Sequence, residues 1–250
     1  MTALRYDHFS ISNYKHIAMT THLKPLKIFS TLAVRNVLKT ITPELENVTG
    51  RAIEFDYGAT MQLSERIRAG SRGDIILAVA SSIDELASEG ILRSSSRVDL
   101  VSSDVAMAVK KGATAPDISS VEALTATLLA TPSIVMSKQG ASGLYFAGLI
   151  KRLGVEREVL AKATVLAEGL TGEPVARGEA VLAVQQMSEL MQVAGIDIFA
   201  KLPPAAQQST IFSLGVFKDS TEDEAIEKII ALMRTPAVIE VIRSQGLDPI

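Results

Sequence analysis

Six consecutive residues, Ser137-Lys138-Gln139-Gly140-Ala141-Ser142, put two hydroxyls, an amine and a primary amide into one short polar loop. The apolar run 133–136 before it reads as a buried strand. After it, Phe146, Leu149, Ile150 and Leu153 fall at i, i+3, i+4 and i+7, which predicts a helix with one apolar face beginning near Ser142. The first turn of a helix carries backbone N–H groups without partners and the positive end of the helix dipole, so such a loop can hold an anion. Taken alone, Ser142 reads first as an N-cap. The same succession of strand, small-residue turn and helix returns at 30–32, 58–60, 168–172 and 185–189, and this repetition points to a ligand.

The remaining chemistry is bounded by what the chain lacks. It has no cysteine, so disulfides, thiolate zinc sites and thiol nucleophiles are excluded. Its three histidines, His8, His16 and His22, all precede the body of the chain, which leaves no imidazole for a serine triad there. No cofactor or metal site is expected. Hydrophobic residues make up 47% and charged residues 21%, the balance of a globular chain that at 250 residues can form two lobes with separate cores. A net charge of −3 and no basic run interleaved with aromatics argue against a nucleic-acid partner, and no segment is long and apolar enough to insert in a membrane. Residues 1–24 hold charged and histidine residues and no apolar stretch of a secretory signal. They are expected to form a flexible arm, with the chain cytoplasmic as written and periplasmic if a targeting segment has been removed.

The elements that must position the turns follow in order. Residues 26–29 read as a strand, and Ser30-Thr31-Leu32 as a turn. Val34, Val37, Leu38 and Ile41 give a helix that Thr42-Pro43 restarts and Gly50 stops. Strands are expected at 52–57 and 74–79, with a turn at Gly58-Ala59-Thr60. A helix capped by Ser82 against Glu85 should end at Gly90. Apolar strands alternating with helices indicate an α/β fold in which a parallel sheet is covered on both faces, with ligands at the carboxyl ends of the strands. Residues 98–111 are too long for one strand and read as a crossing into a second lobe. Strands at 164–167 and 180–184 follow the central loop, and 196–202 and 211–217 read as the return crossing and the antiparallel close of the first lobe. The expected division is 25–103 with 200–250 for lobe 1, and 104–199 for lobe 2.

These turns together make the chain resemble the periplasmic molybdate-binding family, the solute-binding components of ABC importers. The matching pieces are Ile28 to Ala33, Leu63 to Gly70 before Gly73-Asp74, Ala141-Ser142-Gly143-Leu144-Tyr145, and the strand order through residues 180–184. The resemblance implies a two-lobed periplasmic-binding-protein type II fold, each lobe a mostly parallel sheet flanked by helices, joined by two crossing strands. It also implies an oxyanion held by short hydroxyls, amides and a tyrosine. Carried to this chain, the positions are Ser30, Thr31 and Ala33, then Ala59 or Thr60, Ser142 with Gly143, Leu170, and Gln185. Ala33 stands where a serine is expected and Gln185 where the tyrosine is expected, which removes two polar contacts to a tetrahedral oxyanion. The segments 140–143 and 185–189 look more like the branch that includes aconitate isomerase.

Two functions follow, anion binding as the leading one and an isomerase as the alternative. In the first, the lobes close by hinge motion on a small oxyanion or carboxylate, delivered to an ABC permease if the chain is exported. In the second, the same scaffold moves a double bond in a tricarboxylate, a 1,3 proton shift that needs a base, an acid and stabilisation of an enolate-like charge. The candidates for that chemistry are Lys138, Tyr145 and Glu189, with Glu168 and Tyr57 beside them. Arg35 is a cation in the first turn of a helix, where the dipole disfavours it, and a bound anion would explain its place. A cytoplasmic anion sensor remains a further role for the same site.

Overall fold

The computed structural model describes residues 23–250; the three histidines and residues 1–22 of the expected arm lie outside the described residues. Two sheets organise the rest. In the first the order is β11 (Asp248–Pro249), β4 (Val98–Ser103), β10 (Thr210–Val216), β3 (Ile75–Val79), β1 (Leu26–Thr31), β2 (Ile53–Gly58). In the second it is β7 (Ala163–Leu166), β6 (Ile134–Ser137), β8 (Leu182–Gln186), β5 (Val105–Lys110), β9 (Ile196–Lys201). Strands β2, β1 and β3 run parallel, as do β7, β6 and β8. Antiparallel pairing involves β4, β10, β5 and β9, the strands that lead into or out of the two crossings, and the short β11 laid on β4.

Consecutive residues of a strand feed opposite cores, as the pleat demands. Ile28, Ile75 and Leu77 join the core under α1 (Arg35–Thr40), α2 (Thr42–Thr49), α10 (Asp223–Met233) and α11 (Pro236–Ser244). Their neighbours Phe29, Ile76 and Ala78 join the core under α3 (Thr60–Arg68) and α4 (Ala80–Ser88), where the Phe29 and Phe217 rings sit 5.6 Å apart. The second sheet repeats this, with Met107, Ile134 and Met136 on one side and Ala106, Ala108 and Val135 on the other. The first side is covered by α5 (Val121–Ala130), α6 (Ala141–Arg152) and α7 (Glu156–Leu160), and the second by α8 (Gly172–Arg177) and α9 (Met187–Leu190).

The local signals act as expected at several joints. Pro43 occupies the first turn of α2, where its missing N–H costs nothing, and Gly50 closes that helix at φ 68°. Three details differ. Ser30 and Thr31 extend β1 instead of forming a turn, because both still pair with β2. The Ser82 and Glu85 capping box does not form: β3 runs straight into α4, Ser82 lies inside its first turn, and Glu85 accepts from Arg68 Nη2 at 3.2 Å. The segment read as a return crossing stays in the second sheet, with Lys201 still opposite Ala106, and the chain returns only through 202–209.

Asp104 is the single residue between β4 and β5, and its carboxylate accepts from Lys201 Nζ at 2.9 Å and from Ser209 Oγ. One carboxylate thereby ties together both connections between the sheets.

Candidate functional site

The turns after β1, β2, β6 and β8 meet where the two sheets face each other. Thr31, Leu32, Ala33, Ala59 and Thr60 from one sheet, with Gly140, Ala141, Gln186 and Glu189 from the other and Phe212 of β10, line a chamber with a free volume of about 10 Å³. That is the room one water needs. The walls are held together by contacts between the sheets. Met61 N donates to Gln139 O at 3.5 Å, Gln62 Nε2 to Ala167 O at 3.3 Å, and Arg35 Nε to Gln192 Oε1 at 2.9 Å, while Gln192 Nε2 donates to Leu32 O at 2.8 Å.

Helices α3 and α6 open on this chamber with residues Thr60 and Ala141, and neither has a side chain capping its first turn from the N-cap position. Their amide N–H groups supply positive potential without a formal charge. Close to these turns are buried polar atoms without a partner: Thr31 Oγ1, Ser142 Oγ, Tyr57 OH and Gln186 Oε1. A buried hydroxyl left unpaired costs about 1–3 kcal/mol, so several in one region mark a place prepared for a polar guest. Ser142 is therefore no N-cap; Gly140 holds that position, and the serine is fully buried at the second residue of the helix.

Glu189 is the one carboxylate on the chamber wall. Burial pushes its pKa up to about 7, against the lowering pull of a Gln186 backbone hydrogen bond and the Arg35 charge. Arg35 also acts on Tyr57, whose hydroxyl burial pushes up to about 12. The chamber thus combines neutral donors with one carboxyl able to gain or lose a proton near neutrality, and the charge of Arg35 acts on that carboxyl.

Thr31, Thr60 and Glu189 line the chamber, Ser142 is buried beside the lining residue Ala141, and Arg35 acts on Glu189 through its charge. Other candidates have different work. Ser30 is buried in β1 and donates to Thr31 O at 3.1 Å. Gln185 accepts from Thr171 N at 2.7 Å and from Thr171 Oγ1 at 2.9 Å, which holds the turn 168–172, and its side chain also donates to Glu189 and lowers that group's pKa. Leu170 is buried in that turn, its carbonyl accepting from Glu173 N. Tyr145 OH donates to Ala206 O at 2.7 Å. Lys138 and Glu168 are exposed, and neither lines the chamber. Lys138→Ala is accordingly expected to change ligand affinity and any turnover less than about twofold, by calorimetry and initial rates.

Gly143 serves packing. A Cβ there would lie 1.8 Å from Ser137 O, so α6 can press on the end of β6 only because this residue has no side chain. Gly143→Ala is expected to cost about 3 kcal/mol in urea unfolding, at the upper end for overpacking.

Gln186 and Gln192 are the residues that sequence reasoning missed. Side chains alternate along β8, so the neighbours Gln185 and Gln186 point to opposite sides, and only the register of the sheet decides which one faces the chamber.

Comparisons with known proteins agree on the architecture. An aconitate isomerase from a Pseudomonas species is 33% identical over 231 residues, covering 90% of this chain and 88% of that protein. The periplasmic molybdate-binding protein of Azotobacter vinelandii superposes with a TM-score of 0.73 at 18% identity, over 89% of this chain and 98% of the other. The sulfate-binding protein of Mycobacterium tuberculosis H37Rv gives 0.70 at 13% identity, over 91% and 88%. The chain therefore has the two-lobed periplasmic-binding-protein type II fold. Residues 26–248 match the model of the bacterial extracellular solute-binding proteins, and with four-fifths and more of the chain accounted for in this way, the protein belongs to that family.

Proposed function

We propose that the two lobes close on a carboxylate of a small unsaturated organic acid and that Glu189 moves a proton on the carbon beside it. The observation that carries this reading is a carboxyl group buried in the wall of an anion chamber. With a pKa near 7 the carboxyl is partly neutral near pH 7, which admits an anionic guest, and its ionised form can take a proton from that guest and return it.

The chemistry balances without a cofactor. Glu189 takes the proton from the carbon next to the bound carboxylate, and the electron pair spreads through the adjacent double bond and onto the carboxylate oxygens. Thr31, Ser142 and the first-turn amides of α3 and α6 stabilise that charge, with Arg35 behind them. Returning the proton to the far end of the allylic system completes the 1,3 shift and moves the double bond. The 33% identity to an aconitate isomerase supports a polycarboxylate as substrate.

Family membership favours a second reading, in which the same chamber binds its ligand outside the cell membrane and hands it to an ABC permease without turnover. No helix among the described residues is long and apolar enough to cross a membrane, so that route would need a separate membrane partner. Proton NMR of cis- and trans-aconitate in deuterated buffer separates the two. A new alkene signal with deuterium at the allylic carbon supports the isomerase; saturable binding with no exchange over hours supports the importer component.

A further inference from the structure

Beside the closed chamber lies a wider cleft of about 670 Å³ whose walls also come from both lobes. Thr60 and Ala141, the first residues of α3 and α6, line both spaces, so the two adjoin at these helix starts. In this closed form the chamber has the room of about one water, enough for one carboxylate oxygen, and the adjoining cleft is the space available to the carbon skeleton of an organic acid.

Two features of the cleft point to what the far end of that skeleton carries. Helix α4 starts in its wall with Ala80, Ser81 and Ser82, and its N-cap, Val79, has no side chain to occupy the free N–H groups. Ser64, 4% exposed and on the same wall, has its Oγ buried without a hydrogen-bond partner. A nine-residue helix with an open N-terminus and an unpaired buried hydroxyl together make a receptor for an oxygen-rich group. The body of the ligand has an apolar surface to rest on, formed by Met61, Leu144 and Ile211, which remain 39–48% exposed.

We propose that the outer cleft is a second carboxylate subsite, with the distal carboxylate of a di- or tricarboxylic acid seated on the first turn of α4 and the Ser64 hydroxyl. This deepens the proposed function and rests on it, since the proximal carboxylate is the one placed against Thr31 and Ser142. The charged residues on the cleft walls are Glu65, Glu85 and Arg68. Arg68 is shared between Glu85 and Glu89, at 3.2 and 2.7 Å, so that cluster keeps one negative charge, and Glu65 is the carboxylate on the cleft wall that no guanidinium among the described residues engages. Glu65 therefore provides a readout of where the distal charge sits.

The test compares glutarate, with two carboxylates, and valerate, a monocarboxylate of the same length, by isothermal calorimetry on the full chain. The wild type is expected to bind glutarate at least about tenfold more tightly, the worth of one charge-assisted hydrogen bond. Ser81→Asp, an exposed change that suits a helix start, and Ser64→Ala should each erase most of that advantage with little effect on valerate. Glu65→Gln should enlarge it severalfold. Equal affinity for the two acids, or a glutarate advantage that survives both Ser81→Asp and Ser64→Ala, overturns the subsite while leaving the inner site intact. If neither acid binds, nor trans-aconitate, the reading of the inner chamber fails and this proposal with it.

Discussion

Glu189→Gln is expected to lower turnover by about 10²–10⁴-fold, the usual worth of a positioned general base, while leaving ligand affinity equal or higher above pH 7. Glutamine keeps the shape of the protonated acid but cannot take a proton, and it removes the charge that opposes a carboxylate guest. In the parent protein kcat/KM should rise through about pH 7 and level off, because the base must be ionised in the free protein.

Stability gives an independent check with a definite sign. The pKa of Glu189 is raised in the folded state, so between about 4.5 and 7 the native protein holds a proton that the unfolded chain has lost. Stability contributed by this group is complete below about pH 4.5 and falls as pH rises to about 7, on the order of 3 kcal/mol in all. Urea unfolding across that range should show the decline in the parent, and a flatter profile in Glu189→Gln. Equal slopes in the two proteins would remove the physical basis for assigning Glu189 as the base.

The second large effect concerns the unpaired hydroxyls. Ser142→Ala should weaken carboxylate binding about 10- to 150-fold, corresponding to about 1.5–3 kcal/mol for one charge-assisted hydrogen bond in a closed site. In the ligand-free protein the same change removes a buried polar atom that has no partner, so stability should hold or rise. The two quantities are predicted to move in opposite directions, which separates a ligand-binding hydroxyl from a structural one. A serine that merely supported α6 would lose stability along with affinity, and calorimetry with thermal denaturation on one sample distinguishes the cases.

Much of the candidate site was legible from the residues. The loop 137–142, the turns at Thr31 and Thr60, the odd cation Arg35 and the carboxylate Glu189 could each be picked out, because a strand followed by a small-residue turn and a helix start has a local signature. Roles within a turn were harder to read. Ser30 and Thr31 differ by one position, yet in the sheet one hydroxyl closes on its neighbour's carbonyl and the other stays unpaired. Lys138, in the middle of the most suggestive loop, is exposed, and Tyr145 is spent on a main-chain carbonyl 61 residues away.

The division has a physical cause. Hydrophobic period, caps and turn residues act over a few neighbours, so the sequence by itself determined the alternation of strands and helices, the crossing after residue 98 and the set of turns able to face an anion. Strand register and lobe closure join residues more than a hundred positions apart, as Arg35 and Gln192 are joined. Only the tertiary structure could decide that Gln186 faces the chamber while Gln185 supports a turn, that burial brings Glu189 to a neutral pKa, and that a second cleft opens beside the first.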